Sequence, residues 1–259
     1  MASARHGSRC ACSGHRTCMA NFAEVLAAGG SQLQPALQPI RDSRTDRLVG
    51  VEALAPVADD RLAVRAAVTA LSRAAGGDWV AIHTGAGLTS WLDLLLSSGL
   101  PRTDRRRVVV DLSARESVAD YTFLNASVQV LRDLGVRVAL SDVGSGYASL
   151  SRVLQLRPDF VTADPSLAQA IAEDRVKREL MLAVVRIARE SGARLTAAGV
   201  DSTDDLRAVA CLGVDYVKGD AVGLPSTNPA VWTRWSVSGR TRTAARESAR
   251  RRASSPVVD

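Results

Sequence analysis

The chain has 259 residues, 46% hydrophobic and 23% charged, with a net charge of +6; it is long enough to bury a full core as one large domain or two small ones. No apolar run approaches the ~18 residues of a membrane span, and the opening MASARHGSRCACSGHRTC lacks the apolar stretch of an export signal, so the expectation is a cytoplasmic protein. The excess charge sits at the two ends, +3 in residues 1–20 and +4 in residues 240–259, and the body between them sums to −1, which argues against a nucleic-acid-binding body.

Three segments follow from this distribution: a leader over 1–20, a folded domain over 21–235 and a tail over 236–259. The leader holds Cys10, Cys12 and Cys18 with His6 and His15 nearby. That is enough sulfur and nitrogen for one zinc ion, but the spacing is not that of a standard ribbon or finger, and a disordered leader is the plainer reading. Met19 is a second candidate start. With aromatic content at 4%, the core must come mainly from Leu, Val, Ala and Ile.

Short apolar runs then alternate with amphipathic stretches. The runs are ALQPI (36–40), LVGVEAL (48–54), WVAIH (79–83), RVVVDL (107–112), VRVALSD (136–142), DFVTAD (159–164), RLTAAG (194–199) and DYVKG (215–219), each read as a strand. Helices are expected at 58–75, 88–98, 118–134, 149–155, 166–191 and 203–212. Ser202 is the N-cap of the last, with Asp204 and Asp205 in its first turn, and Cys211 in LRAVACLGV reads as a core residue. Eight strands separated mostly by helices predict a parallel sheet closed as a TIM-like (β/α)₈ barrel, with an open doubly wound sheet as the competitor. The ends of the runs carry Glu52, His83, Asp111, Asp142, Asp164 and Lys218, and in a barrel such ends converge on one face. The tail TRTAARESARRRASSPVVD reads as disordered; a solvated cationic tail is its ordinary reading, and contact with RNA, DNA or an acidic membrane surface the alternative.

Four segments resemble the EAL-domain family. LQPIRDSRTDRLVGVEAL is similar to its opening, VVVDLSARES to its fourth strand, LRDLGVRVALSDVGSGYASLSRVLQLRPDFVTAD to its central block, and RLTAAGVDSTDDLRAVACLGVDYVKGDAVGLP to its closing block. Order and spacing hold from about residue 33 to 225. The resemblance implies an EAL-type barrel linked to cyclic di-GMP, whose active members hydrolyse one phosphodiester bond using two divalent ions, usually Mg²⁺ or Mn²⁺. It also makes a homodimer the expected assembly, and leaves no room in the chain for a sensor or GGDEF-type domain.

By the same resemblance, Glu52, Asp142 and Asp201 match metal-binding acidic positions, Asp201 one methylene short. Asp111 stands for a glutamate, and His83 for a metal-binding asparagine. Gln38, Leu54, Asp164 and Lys218 are candidates to face a ligand. Other positions depart from the pattern: Ser141 replaces a bridging aspartate, Thr162 a lysine, Ala198 the glutamate assigned as general base, Pro56 a phosphate-contacting arginine and Lys218 a glutamine. A methyl group cannot take a proton, and a hydroxyl is a poor substitute for a bridging carboxylate. Lys218 reads either as a surface lysine or as a phosphate-facing cation. In SDVGSGYAS, Gly144 and Gly146 are expected to adopt positive φ in a tight turn.

These departures point to an EAL-like protein without efficient hydrolysis, acting through a protein partner or by binding cyclic di-GMP. A working metal-dependent phosphodiesterase rebuilt on Glu52, His83, Asp111, Asp142 and Asp201 is the alternative. A third reading, from a different class, is a nucleic-acid- or membrane-associated protein led by the arginine-rich tail.

Overall fold

The computed structural model describes residues 36–54, 79–83, 102–115, 118 and 120–235. The leader with its cysteines and histidines, Met19, Pro56, the helices expected at 58–75 and 88–98, and the tail lie outside the described residues. Eight strands close into a barrel in sequence order: β1 Ala36–Asp42, β2 Leu48–Leu54, β3 Trp79–His83, β4 Val108–Ser113, β5 Arg137–Val143, β6 Phe160–Ala163, β7 Arg194–Ala197 and β8 Tyr216–Val217. Closure excludes the open doubly wound sheet. The described helices are α1 Arg102–Arg105, α2 Tyr121–Asp133, α3 Tyr147–Leu156, α4 Pro165–Ala168, α5 Arg175–Glu190 and α6 Thr203–Leu212; residues 229–235 are also helical.

The expectation of an all-parallel sheet needs one correction. Strands β2 to β8 are parallel in succession, but β1 runs antiparallel to both β2 and β8. Only residues 43–47 connect β1 to β2, and a parallel crossover needs a dozen residues or more. Reversal places the start of β1 beside the end of β2, with Gln38 opposite Glu52. Both residues therefore sit at the same rim.

Two buried clusters hold the fold. The larger joins strand residues to the helical layer through Leu131, Val153, Met181, Val184, Val185 and Val209. The smaller contains Ile40, Trp79, Ala81, Val109, Ala139 and Phe160. Trp79 and Phe160 have ring centroids 4.8 Å apart, and Tyr216 lies 6.1 Å from Trp79. Gly50 makes room for the indole, since a Cβ there would lie 2.6 Å from Trp79 Cδ2. His83, Asp111, Ser141 and Thr162 stand two residues beyond Ala81, Val109, Ala139 and Phe160. The period-two alternation of a strand therefore points all four to the face of the smaller cluster, one layer nearer the rim.

Helix corrections have local causes. The stretch 166–191 divides into α4 and α5, because Asp174 caps a new helix by accepting from the Val176 and Lys177 amides. Helix α6 starts as expected, with Ser202 accepting from Asp205 N and two acidic residues in its first turn. Cys211, expected in the core, is exposed. The buried face of α6 carries Asp205 and Val209, and two residues past Val209 is about 200° around the helix. Of the two loop glycines, Gly144 has φ +97°, but Gly146, at φ 166°, is extended.

Candidate functional site

Closure brings Glu52, His83, Asp111 and Lys218 together at one rim of the barrel. Glu52 is the hub. Its Oε1 accepts from Lys218 Nζ at 2.6 Å and lies 2.5 Å from His83 Nε2, while His83 Nδ1 stands 3.6 Å from Asp111 Oδ2. The Glu52 side chain is 3% exposed and that of Lys218 only 12%, so the surface reading of Lys218 does not hold. Burying an ammonium is costly unless a carboxylate receives it; here one does.

The electrostatics follow from the contacts. Burial works against a charge on Glu52, but Lys218 and His83 outweigh it and hold the carboxyl well below the usual range. The His83 ring is 43% exposed at the rim; its partial desolvation opposes a charge, yet Asp111 and the hydrogen bond to Glu52 prevail and push it up to about 9. Lys218 is likewise raised, by Glu52 and Asp111 against its burial. Asp111 moves the other way: burial lifts its carboxyl above the ordinary value despite His83 and Lys218.

Asp142 joins a second cluster. It has φ +59° within the register shift between β5 and β6, and its Oδ2 accepts from Ser113 Oγ at 2.7 Å. Arg115 stands above, with Nε 3.8 Å from Asp142 Oδ2 and its guanidinium bonded to Asp164 Oδ2. Asp164 also caps α4, accepting from Ser166 N at 2.9 Å. Arg152, 6% exposed, donates to the carbonyls of Ser113 and Ala114 and to Tyr121 Oη, which fixes the end of β4 from below. Ser113, Arg115 and Arg152 were not singled out by sequence reasoning; for the first two, the available signal was their place two and four residues after Asp111 in VVVDLSARES.

The other candidates scatter around this rim. Gln38 donates to the Gly223 carbonyl at 3.2 Å, and Leu54 is half-buried at the end of β2. Ser141 Oγ turns to the Leu112 carbonyl at 3.4 Å. Thr162 and Ala198 are buried. Asp201 accepts from Asp220 N at 3.2 Å.

Can these residues hold the divalent ions that the resemblance implies? Glu52, His83 and Asp111 each offer a ligand atom, all within 4.8 Å of one another, and Asp111 Oδ1 is buried with no hydrogen-bond partner. That donor set suits a single ion. However, Glu52 Oε1 already accepts from Lys218 and lies against His83, and neither Asp142 nor Asp201 belongs to the group. Among the described residues, the arrangement offers one such group and not the ligands of a pair of ions.

Among the described residues no helix is long and apolar enough to cross a membrane. The family model of the EAL domain matches residues 80–225. A cyclic di-GMP phosphodiesterase of Escherichia coli, PdeF, is 24% identical over 119 residues, covering 46% of this chain but only 16% of that protein. The EAL domain of Mycobacterium smegmatis DcpA superposes with a TM-score of 0.70 at 23% identity, covering 82% of this chain and 98% of that one. Klebsiella pneumoniae BlrP1, solved as a manganese and cyclic di-GMP complex, gives 0.63 at 24% identity, covering 73% of this chain and 55% of that one. With a closed eight-stranded barrel and a family match over more than half of its length, the chain belongs to the EAL-domain family.

Proposed function

We propose that this protein serves cyclic di-GMP signalling without efficient hydrolysis, acting through a protein partner or by holding the nucleotide. One observation carries the reading: the Lys218 ammonium is bonded to Glu52, the carboxylate that an active member would give to a metal. The chemistry of the neighbouring positions supports it, because Ser141, Thr162 and Ala198 supply neither a bridging carboxylate, nor a cation, nor a base. Loss of a base and of a bridging ligand would each remove orders of magnitude in rate. The nucleotide enters the proposal from PdeF, named a cyclic di-GMP phosphodiesterase, and from BlrP1, solved with cyclic di-GMP. A folded unit over 21–235, a homodimer and a cytoplasmic location belong to the same reading. Protein interaction is its preferred form, since a proline stands at 56 where a phosphate-contacting arginine is expected.

The test is to incubate the protein with cyclic di-GMP and Mg²⁺ or Mn²⁺, separate the products by chromatography, and titrate binding by calorimetry in parallel. No linear product together with saturable binding assigns a receptor. No product and no binding assigns the protein-partner form. Catalytic turnover would refute the reading. The close approach of Glu52, His83 and Asp111 favours one second reading, a single-ion phosphodiesterase with a rebuilt site, for which Glu52→Ala must abolish any turnover detected.

A further inference from the structure

We propose that Lys218 is the resident cation of this site, standing where a divalent ion would otherwise be held. The inference rests on the non-hydrolytic reading above and supplies its physical cause. Glu52, His83 and Asp111 bring ligand atoms within 4.8 Å of one another, which is the composition of a cation site. Lys218 Nζ reaches Glu52 Oε1 at 2.6 Å from the far end of the chain fold, 166 residues away in sequence.

A divalent ion on Glu52 would either displace that ammonium from Oε1 or sit on the other oxygen of a carboxylate that already holds a like charge. To use His83 Nε2 it would also have to break the 2.5 Å contact with Glu52, because a ring nitrogen ligates only through a free lone pair. The displaced ammonium would then lie in a rim where its side chain is 12% exposed, beside an ion of the same sign. Both costs act against the metal and neither acts against the lysine. The lysine is therefore a built-in counter-charge that keeps the acidic rim balanced with no exchangeable ion.

The experiment uses the full chain, Mn²⁺ as the probe and no nucleotide, with free Mn²⁺ read by its electron paramagnetic resonance signal. The wild-type protein should leave the signal undiminished in the micromolar range. Lys218→Gln and Lys218→Met, each checked for folding by circular dichroism, should take up Mn²⁺ with an affinity about 10- to 100-fold higher, the range by which groups next to a metal site tune it. Stoichiometric uptake by the wild type, or folded variants that gain nothing, overturns the inference. If both variants fail to fold, the wild-type melting temperature decides: equal values in EDTA and in Mn²⁺ support the resident cation, and a rise with Mn²⁺ overturns it. Mn²⁺ uptake by the wild type without cyclic di-GMP turnover sinks only this inference; turnover sinks the functional reading.

Discussion

Replacing Lys218 by methionine keeps an unbranched side chain one atom shorter and removes its charge. Glu52, 3% exposed, then loses the donor at 2.6 Å and keeps only the contact with His83. Removing one partner of a buried ion pair costs about 3–5 kcal/mol because the other charge is left uncompensated. With His83 still bound, about 2–4 kcal/mol is expected in EDTA-containing buffer. For a domain of this size that is a fall of about 5–15 °C in melting temperature. Glu52→Gln alone should also destabilise, by stranding the ammonium. The double variant should cost less than the sum of the singles, with a coupling of about 1–3 kcal/mol. Urea unfolding of the four proteins closes the cycle. The reasoning fails if Lys218→Met lies within about 0.5 kcal/mol of wild type, as a surface substitution would, or if the two singles simply add.

Three further outcomes follow from the packing. Gly144→Ala forces a Cβ to within 2.4 Å of Leu167 Cδ1 at φ +97°, and should cost about 2–4 kcal/mol in urea unfolding; Gly146→Ala, in open space and extended, should stay within about 0.5 kcal/mol. Arg152→Met removes the donor to the carbonyls of Ser113 and Ala114 at the end of β4 and should destabilise by about 2–3 kcal/mol, with no loss if those bonds are incidental. Asp164 sets a pH dependence: burial works against its charge, but bonds from Ser166 and Arg115 hold its carboxyl below the ordinary 3.8. Its folded pKa is thus depressed, so its contribution is whole above the ordinary value of 3.8 and is lost as pH falls through the folded pKa. In acid melts, Asp164→Asn should flatten this part of the stability profile, and an unchanged profile would contradict the assignment.

The barrel was legible because its signals are local. Each strand is a short apolar run, and alternation along a strand fixes which residues share a face, so Glu52, His83 and Asp111 could be grouped from their places at strand ends. The cap of α6 was equally local, Ser202 lying three residues before the amide it accepts from. Cys211 marks the limit of such reading, since an apolar neighbourhood in sequence does not fix which side of a helix meets the core.

The chain order of residue types alone determined that eight strands would bring acidic groups to one rim, with Ser141 at the end of β5 and Ala198 just after β7. Only the tertiary structure decided how the remaining charges pair. Lys218 and Glu52 are 166 residues apart, and nothing near either one distinguishes a buried ammonium from a solvated one. Their contact exists because β1 reverses and β8 closes against it, bringing the end of the last strand next to the end of the second. Pairing across a closed barrel is a property of closure, and closure depends on all eight strands together.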